Sequence, residues 1–226
     1  MLKDISFNIK KSKRKTLSIY IERDGTVTVI APGNSTDKEI EEVIKKKEYQ
    51  IYKSLSEWEL TNSTKIEREF VNGQSFLYLG RNYRLEIVKE EQKKPLILKN
   101  GYFLLRKKDE SKAKKLFIEF YKEKGLPIIV ERVERYQKRI NVNPKQIRIM
   151  ELKNRWASCS EKGNLNFHWK CIMAPLDVLN YIVVHELAHL VSKNHTKAFW
   201  NEIDKVMPDF QKYIEWLRIN GAAMDV

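Results

Sequence analysis

Residues 175–200, PLDVLNYIVVHELAHLVSKNHTKAFW, constrain the fold more than any other stretch of the 226-residue chain. Proline suits the first turn of a helix, and no breaker follows before Asn194, so one helix is predicted from Pro175 to that point. At about 100° per residue, His185 and His189 lie about 40° apart and one turn along, and their imidazoles can share one ion. Glu186 falls beside such an ion, where a carboxylate takes a proton from water that a metal activates. Val183, Val184, Leu187, Leu190 and Val191 make the helix apolar nearly all round. It is therefore expected to be buried, and its polar residues need partners.

His195 lies six residues beyond His189, past Ser192-Lys193-Asn194. We expect Asn194 to take the left-handed conformation that ends a helix, folding the chain back so that a third imidazole meets the same ion. Three protein ligands and one open position make the arrangement of a catalytic zinc, one per chain, and not of a closed structural one. Glu202 and Glu215 are downstream alternatives for the third ligand. His168, on the strand before the helix, is left outside the ligand set. Cys159 lacks an adjacent ligand pair and is expected to be a small buried residue.

The rest of the chain reads as α+β. Leu17, Ile19 and Ile21 alternate, as do Val27 and Val29, around Asp24-Gly25, which signals a hairpin. Thr36 with Glu39 forms a capping box, and Ile40, Val43, Ile44, Tyr49 and Ile51 continue a helix to about Trp58. Strands are predicted at Phe76–Leu79, Tyr83–Val88, Leu96–Leu98 and Tyr102–Leu105, punctuated by Asn72-Gly73, Gly80 and Asn100-Gly101. The period then changes to about 3.6. Leu116, Phe117, Phe120 and Tyr121 mark one helix, Gly125-Leu126-Pro127 breaks it, and Ile129, Val133, Tyr136 and Ile140 mark a second. Asn143-Pro144 ends that unit, and residues 147–173 form two or three strands turning at Lys162-Gly163. We expect two lobes: 1–108, strand-rich with one long helix, and 109–226, carrying basic helices, a short sheet, the His-bearing helix and C-terminal helices.

Composition sets outer bounds. Hydrophobic residues at 42% with 8 Gly and 6 Pro can fill a core, which excludes a linker or disordered tail. No apolar run approaches the roughly 18 residues of a membrane span, and the charged start MLKDISFNIKKSKRK lacks the apolar region of a secretory signal. Two cysteines form no disulfide framework, so a reduced, cytoplasmic setting is expected. The net charge of +13 is uneven: residues 1–15 carry +5 and 111–155 carry +8, while 156–226 carry −1. The two basic blocks are where a nucleic acid or another anion would dock.

HELAHLVSKNHTKAFW, followed by Met207-Pro208-Asp209-Phe210, resembles the YgjP-like metallopeptidase family. That family belongs to the zincin-like metal-dependent hydrolases and is related to WLM and SprT-like domains. RWASCS at 155–160 is similar to the family's Trp-Gly-Ser-Cys segment, with Ala157 where Gly is usual. CIMAP at 171–175 matches the lead-in to its active-site helix. RKTLSIYIERDGTVTVIAP and FLYLGRNYRLEI fit its N-terminal half, so the likeness covers most of the chain. The resemblance implies a zincin-like catalytic lobe, zinc at His185, His189 and His195, and Glu186 as the catalytic acid/base.

Arg155 and Trp156 precede the strands expected beside the active-site helix. Arg155 is a candidate to pair with a substrate carboxylate or phosphate, or to stabilise an oxyanion, and Trp156 a candidate substrate contact. Phe199, Trp200, Phe210, Tyr213, Trp216 and Leu217 have helical spacing and are expected in the core. The leading expectation is a zinc peptidase that binds an extended polypeptide against an edge strand. The alternatives are a metal-dependent phosphohydrolase acting on nucleotides, a DNA-associated protease, and a non-enzymatic nucleic-acid-binding module with zinc. The missing Gly-rich phosphate loop weighs against the phosphohydrolase, and Glu186 against the non-enzymatic module.

Overall fold

In a computed structural model, residues 7–21, 26–62, 68–89, 92–153 and 155–226 are described, the side chains of 57–62 excepted. The chain divides into two compact units, Met1–Thr64 and Lys65–Val226. Among the described residues there are six α-helices and three small sheets.

The first unit holds β1 (Phe7–Ser12), β2 (Ser18–Ile21) and β3 (Val27–Pro32), with β3 central, parallel to β1 and antiparallel to β2. The alternation read from the sequence places Val27, Val29 and Ala31 in a small core against Ile40, Ile44 and Ile51. Those isoleucines come from α1 (Asp37–Lys46) and α2 (Glu48–Asn62). The Thr36 capping box is formed: Glu39 N–H donates to Thr36 Oγ1 (3.3 Å) and Thr36 N–H donates to Glu39 Oε2 (2.8 Å). Instead of one helix there are two, because Lys47 N–H turns to the carbonyls of Val43 and Ile44 and tightens the turn. Asp24-Gly25 lies outside the described residues, although the β2–β3 pairing that flanks it is antiparallel as expected.

The second unit begins with β4 (Ser75–Tyr78), β5 (Arg81–Val88), β6 (Leu96–Lys99) and β7 (Tyr102–Arg106), in the order β4-β5-β7-β6. Leu79-Gly80 and Asn100-Gly101 make the two hairpin turns, all four residues at positive φ, as tight turns between twisted strands require. A short 3-10 turn leads into α3 (Ala113–Ile140). Phe117 stacks on Phe76 with centroids 4.2 Å apart, Phe120 meets Phe103 edge-on at 5.2 Å, and Tyr121 O–H donates to the Leu77 carbonyl (2.7 Å). The boundary expected after residue 108 therefore falls inside a shared core, and the division lies at 64/65.

α3 is one helix of 28 residues, not two. Pro127 is exposed, so the carbonyl it leaves unpaired faces water. Gly125 is buried, and a Cβ there would lie 2.4 Å from Ile172 Cγ1; the glycine permits close packing and does not break the helix. Asn141, at φ 59°, ends α3 with its N–H on the Gln137 carbonyl.

Next come β8 (Gln146–Met150), β9 (Ala157–Cys159) and β10 (Asn164–His168), with β10 central, parallel to β8 and antiparallel to β9. Gly163 turns the chain at φ 79°. A 3-10 turn, Trp169–Met173, precedes α4 (Leu176–Ala188), and α5 (Lys197–Val206) and α6 (Phe210–Asn220) close the unit. The β4–β5 turn abuts the start of α4. Leu79 and Gly80 N–H groups donate to the carbonyls of Ile172 (2.8 Å) and Met173 (2.9 Å), and a Cβ on Gly80 would meet Pro175 Cα at 2.8 Å. No described helix is long and apolar enough to cross a membrane.

Candidate active site

Pro175 caps α4, and Asp177 sits in its first turn, where the helix dipole favours negative charge. Val178, Leu179, Ile182, Val183, Val184 and Leu187 are buried, so the helix is held by its neighbours on nearly every side. It ends earlier than expected, at Ala188. Leu190 and Val191 N–H groups donate to Leu187 and Ala188 carbonyls, a 3-10 tightening that closes the helix before Asn194. Asn194 is not in the left-handed region; the reversal is made by this tightened turn and by Thr196 N–H donating to the Asn194 carbonyl (2.7 Å).

The turn nonetheless brings His195 back. One ring nitrogen from each of His185, His189 and His195 lies within 4.8 Å of the others. His185 Nε2 and His195 Nε2 are 3.1 Å apart, a separation of two lone-pair bearers that only a proton or a shared cation reconciles. His185 Nδ1 is 3.3 Å from the Tyr181 hydroxyl, and His189 Nδ1–H donates to the Ser192 carbonyl (3.2 Å). With those Nδ1 atoms engaged, the opposite nitrogens of both rings are left to face a common point. Burial, and then the neighbouring imidazoles, push His185 down to about 3, and burial lowers His189, so both rings are neutral at ordinary pH and able to donate lone pairs.

Phe199 lies beneath the three rings, its centroid 5.0, 4.6 and 4.7 Å from those of His185, His189 and His195. Trp200 stacks on His195 at 5.7 Å and, on its other side, on Phe210 at 5.3 Å. These aromatics are core, as their spacing suggested, and they also back the three imidazoles. Glu202 pairs with Lys205 and Glu215 with Arg218, and neither joins the histidine cluster.

Glu186 is 5% exposed. Burial pushes its carboxyl up to about 8, against the opposing pull of Arg155 and of a hydrogen bond from Cys159 N–H. Its Oε2 has no hydrogen-bond partner among the described residues. Three converging ring nitrogens are a donor set that a divalent cation satisfies, and the buried carboxylate oxygen beside them is left without a donor.

The cleft over this centre has a volume of about 700 Å3 and is floored by His185, Glu186, His189 and His195, with Ala157 to Ser160 along one wall. Ser160 N–H donates to the Asn164 carbonyl and His168 N–H to the Trp156 carbonyl, so the even-numbered residues of this strand bond to β10. Ala157 and Cys159 therefore point their backbone groups away from β10, and Cys159 N–H is already given to Glu186. Arg155 is exposed and lines the cleft; Trp156 is half-buried against Gly221. His168 is buried away from the cluster, accepting from Lys170 N–H (3.1 Å) and lying 3.6 Å from Glu151. Cys159 is half-buried where full burial was expected, and Cys171 is a buried thiol whose Sγ donates to the Trp156 carbonyl (3.1 Å).

The family described as YgjP-like, metallopeptidase domain, matches residues 15–220. Two solved structures are similar in part. The metallopeptidase zymogen of Pyrococcus abyssi abylysin is 23% identical over 43% of this chain and 99% of its own, with a TM-score of 0.40. The metallopeptidase zymogen of Methanocaldococcus jannaschii jannalysin is 26% identical over 39% of this chain and 92% of its own, with a TM-score of 0.36. No curated protein matches the sequence. With the family match spanning nearly the whole chain and the histidine cluster standing where its motif predicts, the chain belongs to the YgjP-like metallopeptidase family and is a metal-dependent hydrolase.

Proposed function

We propose that the chain is a zinc peptidase in which His185, His189 and His195 hold the ion and Glu186 is the general base. The convergence of three ring nitrogens beside an unpartnered, buried carboxylate oxygen carries this reading. When bound, zinc supplies Lewis acidity, polarising a peptide carbonyl and making water more acidic. The remaining work belongs to the chain. Tyr181 accepts from His185 Nδ1–H and Ser192 from His189 Nδ1–H, which fixes each ring and its tautomer. Glu186, made more basic by burial, takes the proton of the attacking water and returns it to the departing amine. Arg155, a cation within reach of that carboxylate, opposes the negative charge that builds on the attacked oxygen.

Ala157 presents N–H and C=O on the open edge of β9, where an extended polypeptide adds as a further strand. The chemistry is tested by Glu186→Gln. We expect the variant to bind zinc as the parent does while turnover of an unfolded polypeptide falls by ~10²–10⁴-fold. Undiminished turnover in zinc-loaded Glu186→Gln would remove Glu186 from the reaction.

A further inference from the structure

Three lysines from distant parts of the chain come together at one end of the cleft. Lys193, in the turn after α4, lines it together with Gly163 of the β9–β10 turn. Lys145, between α3 and β8, donates its N–H to the Gly163 carbonyl (2.9 Å). Its stem lies alongside: a Cβ on Gly163 would be 3.9 Å from Lys145 Cγ and 3.5 Å from Leu190 Cδ2. Lys162 precedes Gly163 in the same turn. All three lysines are exposed, and none has an ion pair among the described residues. Against them stands Glu161, the one carboxylate besides Glu186 on the lining of this cleft. Cations left unpaired at the mouth of a concave space raise its potential and draw anions toward it.

Resting on the peptidase reading above, we propose that this lysine cluster docks acidic stretches of the polypeptide substrate, on the amino-terminal side of the bond that is cut. The side follows from β9. With Cys159 N–H given to Glu186, Ala157 is the residue of that strand with both a donor and an acceptor on the open edge. A chain that exchanges both bonds with one residue runs antiparallel to it. Its residues ahead of the cut therefore pass Cys159 and reach the turn from Ser160 to Gly163. At about 3.3 Å per residue, the lysines are met about three to six residues before the bond.

Lysine suits this task. An ammonium on a flexible stem reaches carboxylates at several positions, whereas a guanidinium fork fixes one geometry. Each exposed contact is weak and screened by salt, so several acidic residues are needed together. Such a contact is the same before and during the reaction, so it lowers KM and leaves kcat alone. The cluster opens onto the space where the polypeptide is cut, and this continuity favours an acidic segment of the substrate over a nucleic acid as its occupant.

The test uses quenched-fluorescence peptides that share the residues around the cut and carry Glu, Gln or Lys at three positions upstream of it. They are digested by the zinc-loaded full-length protein at low salt, with cut positions read by mass spectrometry. KM is expected to be ~10-fold lower for the Glu peptide than for the Gln peptide and ~10-fold higher for the Lys peptide, with kcat within ~2-fold. At ~0.5 M salt the differences should shrink to ~2-fold. Lys145→Glu combined with Lys162→Glu is expected to invert the order and make the Lys peptide the better substrate, which misfolding does not do. Lys115→Glu combined with Lys124→Glu, in the amino-terminal half of α3, changes net charge equally and is expected to hold the Glu-to-Gln ratio within ~2-fold. Equal KM for the Glu and Gln peptides, a preference for Glu placed after the cut instead, or an equal response to the α3 pair overturns the docking site and leaves the peptidase reading intact. So does a single-stranded oligonucleotide that blocks cleavage by the parent and not by the Lys145→Glu, Lys162→Glu protein while the peptides are cut alike, which would assign the cluster to nucleic acid. Failure of the zinc-loaded parent to cut any peptide overturns both.

Discussion

A carboxylate taken out of water costs free energy unless donors or cations surround it, and Glu186 is given little of either. Stability of the metal-free protein therefore depends on pH in part through this group. Its folded value, about 8, stands above the ordinary carboxylate value, so the protonated form is favoured in the fold. The contribution is complete below the ordinary value of 4.5 and is lost as pH rises through about 8. His185 acts in the opposite sense: its folded value of about 3 is below the ordinary 6.5, and its contribution is lost as pH falls between them. Below about 6.5 the two slopes oppose each other, so thermal melts of chelator-treated protein should lose midpoint temperature from about pH 6.5 to pH 8, and Glu186→Gln should flatten that slope. Tyr181 is the other residue whose loss is informative. Tyr181→Phe keeps the buried ring but removes the oxygen 3.3 Å from His185 Nδ1, and zinc affinity measured against a chelating dye should fall ~10–100-fold. His185, Glu186 and His189 were legible because a helix converts their spacing into geometry. Tyr181, one turn before His185, carries the same kind of signal, but a buried tyrosine on an apolar helix has too many other uses. The Ser192 carbonyl leaves no mark in the sequence, since every residue has one.

At the scale of elements, local propensity misread α3 at Gly125-Leu126-Pro127 because packing decided the outcome. A proline on the solvent side of a long helix costs less than dividing a helix whose two halves are both anchored. Phe117, Phe120 and Tyr121 anchor one half and Ile129, Val133 and Tyr136 the other. The glycine two residues earlier is the contact point of α3 with Ile172 and Ile149. Gly125→Ala, which improves helix propensity, should nonetheless destabilise the protein by about 1–3 kcal/mol through overpacking, read from the midpoint of urea unfolding. The same substitution at an exposed helical position would act in the other direction. By contrast, the Thr36–Glu39 cap and the Asn100-Gly101 turn were legible, for their backbone geometry follows from neighbours within three residues. The 3-10 end of α4 was not, because nothing in Leu190-Val191-Ser192 forbids another helical turn.

Across the whole molecule, the basic blocks and the histidine cluster lie in different parts of the chain and meet at Arg155. One basic block belongs to the first unit and the other runs along α3 to Arg155, whereas the histidines and Glu186 sit in a segment of net charge −1. A family of metallopeptidases implies a polypeptide substrate, whose cleavage needs no nucleic acid at the basic blocks. Accordingly, zinc-loaded protein should cleave an unfolded polypeptide at a rate unchanged within ~2-fold by added duplex DNA at physiological salt. The strand-rich first hundred residues were legible as elements, but their assignment to one lobe was not: β4 to β7 pair among themselves, yet their buried face belongs to α3.

The turn between β4 and β5 bears on how such a chain can vary. Hairpin turns are ordinarily where a lineage gains or loses residues at little cost. Here two consecutive amides are spent on the segment leading into the active-site helix, and the glycine leaves no room against Pro175. An extra residue at Leu79-Gly80 would displace the first turn of α4, and with it the helix that carries His185 and Glu186. The Asn100-Gly101 turn of the same sheet has open space where a Cβ would point. Length variation among relatives should therefore gather at the second turn and spare the first, which makes a loop more than about a hundred residues upstream of the histidines one of the least adjustable parts of the catalyst.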